Sequence, residues 1–143
     1  MPVKTMLICV SVGREICVSL NAIVTRRRRV VGVSCHSIPA LEAAANERWV
    51  DSVHTRINPY GMSMDGSPEQ VVPVLKKLHA TGKGVVGMKI IGEGRLRNDP
   101  EKRQASARFV LGLGCVDVLN VGFEKSEEID DLAAAVRKVP RGV

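Results

Sequence analysis

Four groups of polar and ionisable residues each follow an apolar run, and their side chains are the best placed in this sequence to do chemistry. In parallel α/β folds the carboxyl ends of the strands meet at one edge of the sheet, and active sites form there. We therefore expect the four groups to build one polar rim. Its members are Ser34, Cys35 and His36; His54, Arg56, Asn58 and Tyr60; Met88, Lys89, Gly92, Glu93 and Gly94; and Gly122, Phe123, Glu124 and Lys125.

Lys89 interrupts the apolar run at residues 84–91, where a buried ammonium is costly unless it has a role. Three roles stay open: binding a substrate anion or phosphate, acting as a Schiff-base nucleophile with a lowered pKa, or forming a structural ion pair with Glu93. The nearby Gly92-Glu93-Gly94 lacks the spacing of a dinucleotide fingerprint or a phosphate loop. That turn alone therefore does not indicate nucleotide binding.

The histidines and cysteines of the rim give weaker indications. His54 shares one strand face with Arg56 and Asn58, which makes a polar face on an otherwise apolar sheet. Adjacent residues in a strand point to opposite faces, so Cys35 and His36 do not predict a catalytic pair. A buried thiol beside a surface histidine is the preferred interpretation.

Short apolar runs alternate with amphipathic segments from residue 30 onward, which predicts a parallel sheet with crossover helices. The clearest helix follows Ser67, where Pro68 and Gln70 complete a capping box ahead of an apolar stripe. Pro73 is expected to kink this helix or delay its start. The predicted strands are residues 30–35, 50–57, 84–91 and 116–121, with helices opening after Ser37, Ser67, Asp99 and Lys125.

Residues 1–29 differ from the rest of the chain. They hold six basic residues against one acid, while the 143 residues together carry a net charge of +6, so the remainder is nearly neutral. Segments 4–12 and 16–24 have strand character, but no amphipathic helix separates them, and a parallel crossover needs about a dozen residues. We expect an atypical basic, strand-like segment outside the repeating pattern.

Composition also disfavours several classes of protein. Only 3% of the residues are aromatic, which leaves few rings to stack on bases, so we do not predict a nucleic-acid partner. Arg14 and Glu15 interrupt the apolar stretch near the amino terminus, which disfavours a membrane span. The four cysteines lack any CxxC pair, which favours reduced thiols in the cytoplasm over disulfides or a zinc site.

Four segments, residues 32–36, 56–61, 87–94 and 121–130, resemble in this order the carboxyl-terminal half of a bacterial aldo/keto reductase. The resemblance covers residues 30–139. It implies an α/β domain at residues 30–143, with four consecutive βα units resembling the second half of a (β/α)8 TIM barrel. It also implies hydride transfer between NADP(H) and a small carbonyl or alcohol substrate.

The resemblance implies a role for each rim loop. Ser34 and Cys35 stand where the family's Ser-Asn holds the nicotinamide amide, and His54 stands at a Gln with the same task. Met88 replaces the stacking Tyr, and Lys89 replaces a Ser. The turn at Gly92 and Gly94 would lie along the pyrophosphate, and the turn containing Gly122 and Lys125 near the adenosine. The implied cofactor-binding set is Ser34, Cys35, His54, Met88, Lys89, Gly92, Gly94, Gly122 and Lys125.

The family's proton donor Tyr and its Asp, Lys and His partners come from the first four strands, and residues 1–29 contain nothing similar. The resemblance therefore implies a truncated, incomplete reductase with no catalytic residue assigned here. One hypothesis is that residues 1–29 were translated out of frame. Half a barrel would leave open sheet edges, which favours self-association.

Two alternatives remain open at this stage. One is a separate flavodoxin-like α/β domain of about five parallel strands, with Lys89 as the charge of its active site. The other is a non-enzymatic binding domain whose arginine run, Arg26 to Arg29, contacts nucleic acid or anionic lipid.

Overall fold

A computed structural model of the chain describes residues 6–9 and 30–139. Four parallel strands alternate with four helices, which confirms the predicted α/β pattern, and one further strand lies at the edge. The strands are β1 (Met6–Cys9), β2 (Val31–Ser34), β3 (Ser52–Arg56), β4 (Gly84–Met88) and β5 (Val118–Leu119). The helices are α1 (Ile38–Asn46), α2 (Pro68–Ala80), α3 (Pro100–Gly112) and α4 (Ser126–Arg137). None of the described helices is long and apolar enough to cross a membrane.

The strands lie in the sheet in the order in which they occur in the chain, β1-β2-β3-β4-β5, and all pairs are parallel. Parallel crossovers are right-handed, so a sheet that always grows in one direction carries its helices on one face. A flavodoxin-like sheet has the order 2-1-3-4-5 and helices on both faces. The observed order is instead that of successive strands in a barrel wall.

β1 belongs to the segment that we expected to lie outside the pattern, and that expectation is wrong for Met6–Cys9. This strand pairs in parallel with β2, in a register that places Met6 beside Val31 and Cys9 beside Ser34. The predicted strand at 16–24 and the arginine run at 26–29 lie outside the described residues.

One face of the sheet is packed against the helices, and we call it the helix-covered face. Val33, Val53 and Val85 lie side by side on it and are at most 2% exposed. They join one apolar core with Leu75 and Leu78 of α2, which are fully buried. Burial of these aliphatic side chains is the main source of stability in such a layer, because each contributes about 1.5–3 kcal/mol.

The opposite face is the polar face, and its strands carry small or hydrogen-bonding residues. Ser34, His54 and Val86 form one row across β2, β3 and β4. Gly32 and Ser52 form the preceding row, where a Cβ on Gly32 would lie 2.6 Å from Ser52 Oγ. A side chain at position 32 would therefore require the Ser52 hydroxyl to move, and the predicted polar face is present at His54, beside Ser34.

The helices begin where the sequence predicts. Ser37 caps α1 and Asp99 caps α3, each accepting a backbone N–H at 3.2 and 3.0 Å respectively. At the start of α2 the Ser67 N–H donates to Gln70 Oε1 at 3.0 Å, as a capping box requires. α2 runs continuously through Pro73, so that proline does not delay its start.

All four predicted strands are shorter in the structure than the sequence predicts, and β4 and β5 show why this matters for the rim. β4 ends at Met88 rather than at residue 91, because Lys89 has a φ of 59° and leaves the extended conformation. Lys89 therefore follows the strand and does not lie inside it. β5 contains only Val118–Leu119, although the apolar pattern extends over residues 116–121.

Candidate functional site

The loops after β2, β3, β4 and β5 form the rim at the carboxyl end of the sheet. We call them loop 2 (residues 35–37), loop 3 (57–67), loop 4 (89–99) and loop 5 (120–125). Side chains connect each loop to the next, so the predicted groups do lie along one edge. The connections differ in chemistry from one end of the rim to the other.

At the β2 end of the rim, His36 of loop 2 lies between Ser34 and Arg56. Its Nε2 lies 3.2 Å from Ser34 Oγ, and its Nδ1 contacts Arg56 Nη2. Arg56 Nη1 in turn lies 3.3 Å from Asp65 Oδ1, whose side chain is only 7% exposed. Arginine, histidine, serine and aspartate thus form one chain of polar contacts across β2 and β3.

This arrangement fixes the direction of the hydrogen bonds. A guanidinium can only donate, so His36 Nδ1 must accept from Arg56 and the imidazole proton must reside on Nε2. In this tautomer His36 donates to Ser34 Oγ, which is the opposite direction from a serine–histidine nucleophile pair, where the serine donates. The Ser34 hydroxyl keeps its own proton for a further acceptor.

Asn58 connects loop 3 to loop 4 from a fully buried position. Its Nδ2 donates to the carbonyl oxygens of Met62 at 2.8 Å and Lys89 at 3.1 Å. Its Oδ1 accepts from the backbone N–H groups of Tyr60 and Met62, both at 3.1 Å. The sequence predicts Asn58 on the rim, but nothing in it indicates that this side chain makes hydrogen bonds to backbone groups of two loops.

Loops 3 and 4 also meet at Ser63, Lys89 and Glu93. The Glu93 carboxylate accepts from Ser63 Oγ at 2.7 Å and forms an ion pair with Lys89 Nζ. Both partners, together with the more distant charge of Arg56, lower the pKa of Glu93 from 4.5 to about 2. Glu93 is therefore ionised throughout the neutral range, and the structural ion pair proposed for Lys89 is present.

Arg97 connects loop 4 to loop 5 and to the start of α4. Its guanidinium lies 2.5 Å from Glu124 and 2.7 Å from Glu128. Glu128 also accepts the N–H groups of Glu124 and Lys125, at 3.0 and 3.4 Å. Mainly through Arg97, these contacts lower the pKa of Glu128 to about 2, and the two carboxylates raise the pKa of Arg97. No pattern in the sequence singles out Arg97.

A cleft of about 460 Å³ opens between loops 4 and 5, at the carboxyl ends of β4 and β5. It brings together four of the nine residues of the implied cofactor-binding set, Met88, Lys89, Gly94 and Gly122. Two cations and two carboxylates face it, and Phe123 supplies an aromatic wall. The charged lining residues are Lys89, Glu93, Arg97 and Glu124.

The other predicted residues lie elsewhere. Ser34 and His54 are on the polar face, where burial lowers the pKa of His54 and keeps its imidazole neutral at pH 7. Gly92 supports the loops, since a Cβ there would lie 2.9 Å from Met62 Sδ. Lys125 is exposed immediately before α4 and does not line the cleft.

Cys35 differs from the role that the resemblance assigned to it. It is 1% exposed and belongs to the apolar core of the helix-covered face, while the adjacent His36 is exposed. Its thiol therefore does not face the cleft, and only its backbone lies near the polar row, with Cys35 N–H donating to His54 O at 3.0 Å. The interpretation of a buried thiol beside a surface histidine is confirmed.

Within residues 6–9 and 30–139, no group of three or more His, Cys, Asp or Glu side chains is placed to hold a metal ion. Neither family models, curated proteins nor solved structures give a match to this chain. The chemistry of the site therefore has to be argued from its own geometry.

Proposed function

We propose that this chain binds a nicotinamide dinucleotide, NADP(H), as the cofactor-holding part of an aldo/keto-reductase-like barrel. The observation that carries the proposal is the cleft between loops 4 and 5. It gathers Met88, Lys89, Gly94 and Gly122 at the carboxyl ends of consecutive parallel strands, where such folds bind their ligands.

The strand order supports the barrel rather than a doubly wound domain. Each strand pairs with the next one in sequence, and the apolar residues of β2 to β4 that join the core lie on a single face. The polar face, with Ser34, Ser52 and His54, then corresponds to the lumen of a barrel. A lumen lined by hydrogen-bonding groups is suited to a polar ligand that enters at the rim.

The residues suggest how a dinucleotide would be held. The Ser34 hydroxyl, whose oxygen already accepts from His36, is left to donate to a carboxamide oxygen. Lys89 supplies a positive charge for phosphate oxygens. Gly94 has a φ of 85° and open space around its Cα, so its backbone is accessible to a ligand.

The family's reaction moves a hydride between the bound cofactor and a carbonyl or alcohol carbon. The sequence of this chain has no counterpart of the proton-donating Tyr, so we propose binding without turnover for these 143 residues. The intact activity would be NADPH-dependent carbonyl reduction or the reverse oxidation. We also propose a cytoplasmic location, because the four cysteines of the sequence include no CxxC pair and are widely and irregularly spaced.

Calorimetric titration with NADPH tests the proposal on three proteins. The unaltered chain should bind NADPH, and Lys89→Gln should weaken the affinity about tenfold because a charge-assisted contact to phosphate is lost. Lys77→Gln removes the same charge from the exposed side of α2 and should leave the affinity within about twofold. Absence of binding, or equal losses in both variants, would contradict the proposal.

Self-association is the second part of the proposal. β5 is one of the two edges of the described sheet, and Val118 in it is 53% exposed on the polar face. An open edge with an exposed apolar residue favours pairing with another chain. Sedimentation equilibrium should show concentration-dependent dimers, and a strictly monomeric chain would refute this part.

A further inference from the structure

Three non-glycine residues with left-handed backbones lie together at the cleft. They are Ser63, Lys89 and Glu93, with φ angles of 53°, 59° and 58°. Their side chains contact one another, since Glu93 accepts from Ser63 and pairs with Lys89. No other described non-glycine residue has a positive φ. All of the backbone strain of this kind is therefore concentrated in one hydrogen-bonded group.

Such strain persists only where the surroundings hold it in place, and it is concentrated at ligand-binding and switching sites. Here Asn58 holds the Lys89 carbonyl, and Gly92 packs closely under Met62. The Gly92 N–H also donates to the Lys89 carbonyl, at 2.9 Å, so two donors hold the backbone of Lys89. The backbone that carries the Lys89 side chain therefore stays at the cleft even when Glu93 leaves.

The charges of the cleft show which cation a ligand can reach. Arg97 is held by two carboxylates, Glu124 and Glu128, and Glu128 is also fixed to the start of α4. Lys89 has one carboxylate partner among the described residues, Glu93. Displacing a single side chain therefore frees Lys89, whereas freeing Arg97 needs two.

The Glu93 side chain is partly exposed and has two side-chain partners. It is 47% exposed and is held by Lys89 and Ser63. The two flanking glycines differ, because a Cβ on Gly92 would collide with Met62 while a Cβ on Gly94 would meet nothing within 4 Å. The turn is thus packed against loop 3 on its Gly92 side and faces open space on its Gly94 side.

We infer that the Glu93 carboxylate occupies the place of a phosphoryl anion on Lys89, so that loop 4 inhibits its own anion site until a ligand displaces Glu93. The inference rests on the proposed function for the identity of the full ligand. The anion site itself would serve any ligand that carries phosphate or pyrophosphate oxygens. Loop 4 is then a self-occluding element of the cleft.

The test titrates inorganic pyrophosphate into the full chain by calorimetry. Glu93→Gln keeps the length of the side chain and its hydrogen bonds but removes the competing charge. We expect its affinity for pyrophosphate to rise about fivefold, which is the upper range for an exposed ion pair. Glu42→Gln, the same change on the exposed side of α1, should stay within about twofold.

Two further variants separate displacement from a general change in charge. In the double variant with Lys89→Gln and Glu93→Gln, the gain in affinity for pyrophosphate should disappear, because the Lys89 ammonium is no longer present. Ser63→Ala removes one of the two partners of Glu93 and should give a smaller gain, about twofold. We expect each variant to keep its helices, because Gln tolerates the same backbone conformation as Glu. Far-UV circular dichroism checks this.

The outcomes distinguish this inference from the proposed function. A gain for pyrophosphate in Glu93→Gln without any NADPH binding would support the anion site and reject the dinucleotide. NADPH binding that is the same in the unaltered chain and Glu93→Gln, with no gain for pyrophosphate, would overturn the self-occlusion and leave the proposed function standing. A gain that persists in the double variant would also overturn it.

Discussion

The helix-covered face of the sheet and the rim at its carboxyl end are held together by different forces. On the face, Val33, Val53 and Val85 pack against apolar helix residues such as Leu75 and Leu78. On the rim, one buried amide and several charged side chains join four loops. Apolar packing tolerates small shifts because it has no direction, whereas hydrogen bonds fix the loops in one arrangement. The arrangement of the rim therefore depends on the geometry of individual polar contacts, whereas that of the face depends on buried apolar area.

The largest effect that we expect concerns Asn58. Asn58→Ala would leave buried carbonyl and N–H groups of loops 3 and 4 without partners, and each such group costs about 1–3 kcal/mol. We predict a loss of about 3 kcal/mol in the free energy of unfolding, measured in urea. A loss under about 1 kcal/mol would show that water replaces the amide and that the rim is not fixed by it.

A smaller effect compares neighbouring valines of β4 that lie on opposite faces. Val85 is fully buried among the helices, and Val86 is half-buried on the polar face. Val85→Ala should cost about 2.5 kcal/mol because it removes packed methyl groups and leaves a cavity. Val86→Ala should cost about 1 kcal/mol or less, since Val86 is only half-buried and lies on the polar face between His54 and the exposed Val118. Equal losses in urea unfolding would mean that both faces are packed alike.

The smallest effect is the response of the rim to acid. The pKa values of Glu93 and Glu128 are lowered from 4.5 to about 2 by their basic partners and hydrogen bonds. A carboxyl whose pKa is lower in the folded state adds stability above its unfolded value, and that stability is lost as the pH falls through the folded value. The melting temperature should therefore fall between pH 4.5 and pH 2.

Two variants test whether this fall in melting temperature arises from the ion pairs of the rim. Glu93→Gln and Glu128→Gln should each make the decline in melting temperature shallower, while Glu42→Gln should follow the unaltered chain. If neither rim variant changes the slope between pH 4.5 and pH 2, the two ion pairs do not hold the loops in solution.

The elements could be predicted from the sequence, and the contacts of the rim could not. Capping residues such as Ser37 and Asp99 and the stripe on α2 mark the helices locally, because they act within a few residues. The left-handed turn at Lys89 gave no such signal, and the predicted strand was therefore too long. Arg97 and Asn58 act on residues about 30 positions away, at a separation that no local pattern records.

The strand at Met6–Cys9 also shows the limit of local patterns. No amphipathic helix separates its segment from the next apolar run, which predicts a segment outside the sheet, yet the strand pairs with β2 in register. Strand pairing depends on the neighbouring edge as much as on the segment itself. Periodicity alone therefore placed the boundary of the sheet too late in the chain.

The central claim is that a nicotinamide dinucleotide binds in the cleft between loops 4 and 5. The most direct test records the amide resonances of the ¹⁵N-labelled chain during titration with NADPH. We predict shifts concentrated in residues 88–94 and 120–124 and near Ser34, with the outer surfaces of α1 and α2 unchanged. Shifts confined to those outer surfaces, or no shifts at saturating NADPH, would contradict the claim.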